Sequence, residues 1–171
     1  GGIQAIQTLW AGPWMLNISG YTPLESATGL FWINITMLIS YFIWGYILPK
    51  ISDYGINSIK LIKLGLPISY FSLSLIIYFG NNAGAFLFTI YIMTSIVISL
   101  TQPAIALNFS KNLAGKSLTS FNVFLFSGTF FVQWGIGLII DLCNNKGFDI
   151  LSSYRISFSL FLFLCVLSYT F

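Results

Sequence analysis

Residues 118–141 read LTSFNVFLFSGTFFVQWGIGLIID, and from Leu118 to Ile140 they hold no charged side chain. The hydrocarbon layer of a bilayer is roughly 30 Å thick and a helix rises ~1.5 Å per residue, so about 20 apolar residues cross it. This stretch is long enough. It does not alternate polar with apolar, as the shorter strands of a membrane barrel do. A helix also pairs its backbone groups within itself, which lipid demands.

The same reading extends along the chain. Hydrophobic residues make up 57% of the sequence and charged residues 6%, against roughly 25% charged in a soluble domain. Polar breaks divide the apolar sequence into six expected helices, at 3–17, 26–49, 60–80, 84–106, 118–141 and 153–171. The breaks are rich in turn formers: Asn17 to Pro23, Asp53 to Ser58, Gly80 to Gly84, Lys111 to Ser117 and Asn144 to Ser153. The expected class is an all-α membrane protein with the lipid bilayer as its main partner. The chain opens on Gly1 within an apolar run and closes on Phe171 without a polar flank. It therefore reads as a fragment of a longer polypeptide.

Charge placement gives an orientation. Lys50, Lys60 and Lys63 flank the second break, and Lys111 and Lys116 lie in the fourth. The opposite side has only Lys146 and Arg155. The excess of cations places the second and fourth breaks, and both ends of the chain, in the cytoplasm. The net charge of +3 comes from scattered membrane-surface anchors and implies no nucleic-acid partner.

Several chemistries find no residues. The sequence has no His, which removes His-based nucleophile systems and His-ligated metals. Cys143 and Cys165 are isolated, so neither a disulfide nor a zinc site is expected. Gly115-Lys116-Ser117 has the ending of a phosphate loop, but Ser110 stands where the first Gly belongs. Asn17-Ile18-Ser19 fits a glycosylation acceptor, a common triplet. No catalytic residue, metal or cofactor is expected.

What remains is uncharged polar chemistry within the spans. Gln4 and Gln7 lie in the first helix, Asn34 in the second, Gln102 in the fourth, and Asn122 and Gln133 in the fifth. The third and sixth carry no amide and read as lipid-facing, with Phe158 to Phe163 mostly outward. Gln4, Gln7 and Trp14 share one helix face. So do Asn122, Phe126, Thr129 and Gln133, and so do Ser95, Ser99 and Gln102. Amide stripes with aromatics suit a solute cavity; each amide alone is equally read as an interhelical hydrogen bond. Trp44 reads as an interfacial anchor, while Trp10 and Trp134 fit either role. Gly12-Pro13, Pro67 and Pro103 interrupt helices, and Gly128, Gly135 and Gly137 permit close helix approach.

The stretch from Gln7 to Trp14, QTLWAGPW, resembles the opening of helix seven in a bacterial branch of the major facilitator superfamily. Leu113 to Lys116, Asn122, and Phe131 to Asp141 resemble its loop 10–11 and helix eleven. Gly45 to Gly55 is similar to the superfamily's cytoplasmic loop motif, with Pro49 in place of its Asp and Lys50 in place of its Arg. The resemblance implies the C-terminal six-helix half of a secondary transporter in the bacterial inner membrane. It implies a small-molecule solute, a missing N-terminal half and alternating access. Its cavity would take Gln4, Gln7, Trp10, Trp14, Asn34, Gln102, Asn122, Thr129 and Gln133, and its loop motif Gly45, Lys50 and Gly55. The alternative is a six-helix assembly subunit without transport.

Overall fold

The computed structural model describes residues 1–170, and among these every regular element is helical. Gly2–Ala5, Ile6–Trp10 and Ala11–Asn17 run on as one helix, α1. α2 is Pro23–Asp53, α3 is Ser58–Asn82 and α4 is Ala85–Asn108. α5 is Lys111–Asn145 and α6 is Ile150–Thr170. Five of these, α2 to α6, are long and apolar enough to cross a membrane. They expose large apolar side chains along their length, among them Phe42, Phe71, Phe86 and Phe124, as a membrane-embedded protein does.

Local chemistry sets the helix starts. α2 begins on a capping box: the Glu25 amide donates to Thr22 Oγ1, and the Thr22 amide donates to Glu25 Oε2. Asn57 caps α3 by accepting from the Lys60 amide at 2.9 Å. Asp149 Oδ2 accepts from the Ser152 amide at 3.0 Å and starts α6. At the end of α3, Gly80 turns the chain at φ +54, a conformation that favours glycine. Arg155 of α6 reaches this end and donates to the carbonyls of Ile77 and Tyr78, at 2.9 Å each.

Two helices change their winding. Residues 6–10 of α1 form a π stretch, and the Ala11 amide donates to the Ile6 carbonyl five residues back. In α4, residues 96–100 tighten to 3₁₀ geometry, and the Thr101 amide reaches Ile98 three residues back. Each stretch lies just N-terminal to a proline, Pro13 or Pro103. A proline has no amide hydrogen, and its ring crowds the carbonyl four residues back.

α4 packs against α2, α3 and α5; α6 packs against α5 and α3; α1 lies on α5 and α2. Trp14 of α1 is fully buried at the centre of an aromatic core, with Phe158 at 4.8 Å, Tyr154 at 5.9 Å and Phe88 at 6.2 Å between ring centroids.

The expected boundaries shift in several places. α1, at residues 2–17, keeps its expected bounds within one residue but is not one of the five long apolar helices. The expected break from Lys111 to Ser117 is helical, and the chain turns instead at Phe109 and Ser110. The expected loop motif at Gly45–Gly55 is helical as far as Asp53, with Pro49 inside the helix and only Gly55, at φ +77, in the turn. Phe171, the expected last residue of the sixth helix, lies outside the described residues.

α6 and α3 are not simply lipid-facing. α6 buries Ser153, Tyr154, Ser157, Phe158 and Phe161, and α3 buries Ser69, Ser72, Leu73 and Ile76. Their buried polar groups are serines that bond backbone carbonyls three or four residues back in their own helix, so a count of amides overlooks them. On α5, Gly137 meets the Trp10 ring and Gly128 lies against Gly1 of α1, so two of the three expected glycines permit close approach; tighter contacts also occur on other helices. A Cβ on Gly65 would lie 2.7 Å from Val97 Cγ1, and one on Gly29 2.8 Å from Ala85 Cβ, whereas Gly135 faces open space.

Candidate functional site

A cavity of about 880 Å³ opens among the six helices. α1 contributes Gln4 and Gln7; α4 contributes Ser95, Ser99 and Gln102; α5 contributes Asn122. These residues form a polar wall. The lining also takes Met37 and Tyr41 of α2, Tyr70 of α3, and Phe161, Cys165 and Tyr169 of α6, with Ile92 and Ile96 of α4 and Leu125 and Phe126 of α5 between the polar residues.

The polar wall has spare hydrogen-bonding capacity. Gln7 is 8% exposed, and its amide donates only to the thioether sulfur of Met37, at 3.0 Å; sulfur is a weak acceptor. Ser95 Oγ and the Tyr91 hydroxyl, four residues apart on α4, are both buried away from the cavity space with no other partner in the protein. An unpaired buried hydroxyl is costly. Gln4, Gln102 and Asn122 line the cavity as well. Lys63 is the one charged residue on the wall among the described residues, and it is exposed.

Of the nine residues expected to line a cavity, the structure brings Gln4, Gln7, Gln102 and Asn122 to this one. The other five are placed elsewhere. Trp14 is in the aromatic core. The π stretch puts an extra residue into the helix between Gln7 and Trp14, which turns the later part by roughly 100° and moves Trp14 off the glutamine face. Trp10 donates through Nε1 to the Gln133 carbonyl at 3.3 Å, and Gln133 Nε2 donates to Thr8 Oγ1 at 2.9 Å. Thr129 Oγ1 donates to carbonyls of Gly1 and Leu125. Trp10, Thr129 and Gln133 thus form the α1–α5 seam beside the cavity. Asn34 is exposed and donates to the Leu30 carbonyl in its own helix at 2.7 Å.

The loop-motif residues are far from one another in role. Gly45 lies inside α2. Lys50 Nζ donates to Tyr46 Oη at 2.6 Å and stands 3.9 Å from the centre of that ring. Gly55 forms the turn after α2.

Sequence reasoning missed the wall from α3 and α6. Tyr70, Cys165, Ser168 and Tyr169 all face the cavity. Tyr169 Oη donates to the Lys63 carbonyl at 2.9 Å and ties α6 to α3 at this end. Among the described residues, no group of His, Cys, Asp and Glu gathers to hold a metal ion. Comparison with protein-family models, with curated proteins and with solved structures finds no match.

Proposed function

We propose that this chain is a six-helix half of a secondary transporter, which moves a small solute across the membrane by alternating access. The observation that carries this reading is the cavity, which Gln4, Gln7, Gln102 and Asn122 line among helices long and apolar enough to cross a membrane. Polar groups at membrane depth that lack protein partners are a mark of solute pathways. The resemblance to helices seven and eleven of the major facilitator superfamily supports the same reading. So do the winding changes in α1 and α4, because helices broken near a binding site are common in carriers.

In this proposal the chain works with an N-terminal half of the same polypeptide, in a bacterial inner membrane. The cation bias puts the turn at Tyr54–Asn57 and the turn at Phe109–Ser110 in the cytoplasm. Cysteines placed at Ser58 or Asn112 should resist impermeant thiol reagents added to intact cells; labelling there reverses the orientation.

The test of function is uptake into proteoliposomes that hold the longest polypeptide the gene encodes. Sugars, organic acids, amino acids and drugs form the panel. Saturable uptake of a panel member supports a carrier. Folded protein that moves none of them, with no six-helix half upstream, favours an assembly subunit.

A further inference from the structure

α3 and α4 each carry two opposite faces. On α3, Lys63, Leu66 and Tyr70 line the large cavity, while Leu61, Leu64, Gly65 and Ile68, half a turn round the helix, line a second groove. On α4, Ile92 and Ser95 line the cavity, while Met93, Thr94 and Val97 line the groove. No residue lines both. The groove holds about 260 Å³, and Trp44 of α2 bounds its third side. Thr94 has the one hydroxyl on this lining among the described residues, and it donates within the protein, to Ser72 Oγ and to carbonyls of its own helix. The groove is therefore apolar. Leu64, Ile68 and Met93 are exposed along it, so it opens outward from the bundle.

Charge marks one end of this groove. Lys50 near the end of α2, Lys60 and Lys63 in the first two turns of α3, and Lys111 and Lys116 at the start of α5 belong to one end of the bundle, where Asp53 is the only acid. The other end has Lys146 and Arg155 against Glu25, Asp141 and Asp149. One end thus holds +4 and the other −1, which make up the +3 of the chain. Lys50 is engaged with the Tyr46 hydroxyl and ring, whereas Lys60 is exposed. Lys60 stands one turn before Leu64 on α3, and the groove runs on to Ile68, about 12 Å toward the middle of that helix. The amides of Ser58 and Ile59 precede the backbone bond from Leu61 to Asn57 that opens α3, and amides at a helix start attract an anion.

We propose that an anionic phospholipid docks in this groove, with its phosphate against Lys60 and the first turn of α3 and one acyl chain along Leu64, Gly65, Ile68 and Met93. Such a lipid meets both features at once: an apolar channel that leads toward hydrocarbon, and a cation with open amides at its water-side end. A soluble anion would use only the second. The net positive charge of this end favours a headgroup of net negative charge over a zwitterionic one. The groove lies on the faces of α3 and α4 turned away from the cavity, so the site stands whatever the cavity binds and whether or not the chain transports.

The experiment is photolabelling of the full-length protein in phosphatidylcholine proteoliposomes that contain a trace of phosphatidylglycerol with a diazirine in its acyl chain, followed by mapping of the attachment sites. The expected attachment is at Leu64, Ile68 or Met93. Lys60→Gln should weaken it about fivefold, the share of one lysine near an anionic surface. Lys60→Arg should retain it, and Lys146→Gln, at the opposite end, should leave it unchanged. Lys60 and Lys146 are exposed, so these variants keep the fold. The same diazirine on phosphatidylcholine should label the groove less than the phosphatidylglycerol probe does. Equal labelling by the two lipids, or no loss in Lys60→Gln, would mean an unselective lipid shell and overturn the proposal. Displacement of the label by millimolar inorganic phosphate would overturn it in favour of a free anion. Attachment confined to other outward residues, such as Phe71 and Tyr78, would mean that another part of the polypeptide covers the groove and would overturn it as well.

Discussion

Gln133 on α5 donates its side-chain amide to the hydroxyl of Thr8 on α1, 2.9 Å away. Thr8 in turn donates to the Gln4 carbonyl at 2.8 Å, and the Gln133 carbonyl accepts from the Trp10 indole at 3.3 Å. The glutamine therefore joins two helices through both its backbone and its side chain. Asn122, on the same stripe of α5, instead faces the cavity.

These two amides should behave differently. Gln133→Leu should lower stability by about 0.6 kcal/mol, the average for a hydrogen bond between membrane helices, and leave apparent solute affinity unchanged. Asn122→Leu should leave stability nearly unchanged and lower affinity by roughly two- to tenfold. Thermal unfolding of the detergent-purified protein beside uptake kinetics separates the pair. Equal effects on affinity would return Gln133 to the site.

Arg155 closes the end of α3 with two charged hydrogen bonds. Arg155→Met should destabilise by about 2 kcal/mol, since bonds to charged groups are worth roughly 1.5–3 kcal/mol. Arg155→Lys should recover only part, because one ammonium lacks the fork that serves two carbonyls at once. Denaturant unfolding of the three proteins gives the ranking. A lysine variant as stable as wild type would show that charge alone suffices.

Gly65 lets α3 and α4 meet at Val97. Gly65→Ala should destabilise by about 1–3 kcal/mol through overpacking. Val97→Ala removes the methyl groups that obstruct the added Cβ, so the double variant should be more stable than Gly65→Ala alone. A double-mutant cycle with no coupling would show that the two helices can shift apart freely.

Asp149 titrates outside the membrane spans. Hydrogen bonds from Ser152 to its carboxylate, first through the side chain and then through the backbone, hold its pKa below the usual value. A carboxyl with a lowered folded pKa supports folding above its unfolded pKa, and that support disappears as pH falls through the folded pKa. Asp149→Asn keeps a capping oxygen but cannot ionise. Unfolding midpoints measured from neutral to strongly acidic pH should therefore fall less steeply in the variant. Parallel curves would remove Asp149 from the acid response.

Residue type and length made the long helices legible: few charges and uninterrupted apolar runs fix α2 to α6 within a few residues at most ends. Lys111 to Ser117 misled because Gly115 and two lysines read as a turn, while the chain keeps them in the first two turns of α5. Four of the six amides within the expected spans line the cavity, and Asn34 and Gln133 do not. Gln4, Gln7, Gln102 and Asn122 were found by spacing and burial cost. Trp14 was lost because face assignment assumed constant winding, and a π turn is invisible to a 3.6-residue period. Tyr70 and Tyr169 were missed because helices without amides were taken as helices without polar purpose.

The link between Arg155 and α3 also bears on biogenesis. The ribosome makes Arg155 77 residues after Tyr78, which at about 5–20 residues per second is a wait of about 4–15 s. During that interval the last turn of α3 has two carbonyls whose eventual donor does not yet exist. Hydrocarbon would penalise them, so the nascent α3 must hold that end at the aqueous boundary until the final helix arrives. The depth of an early helix is thus set by water first and by a late arginine afterwards.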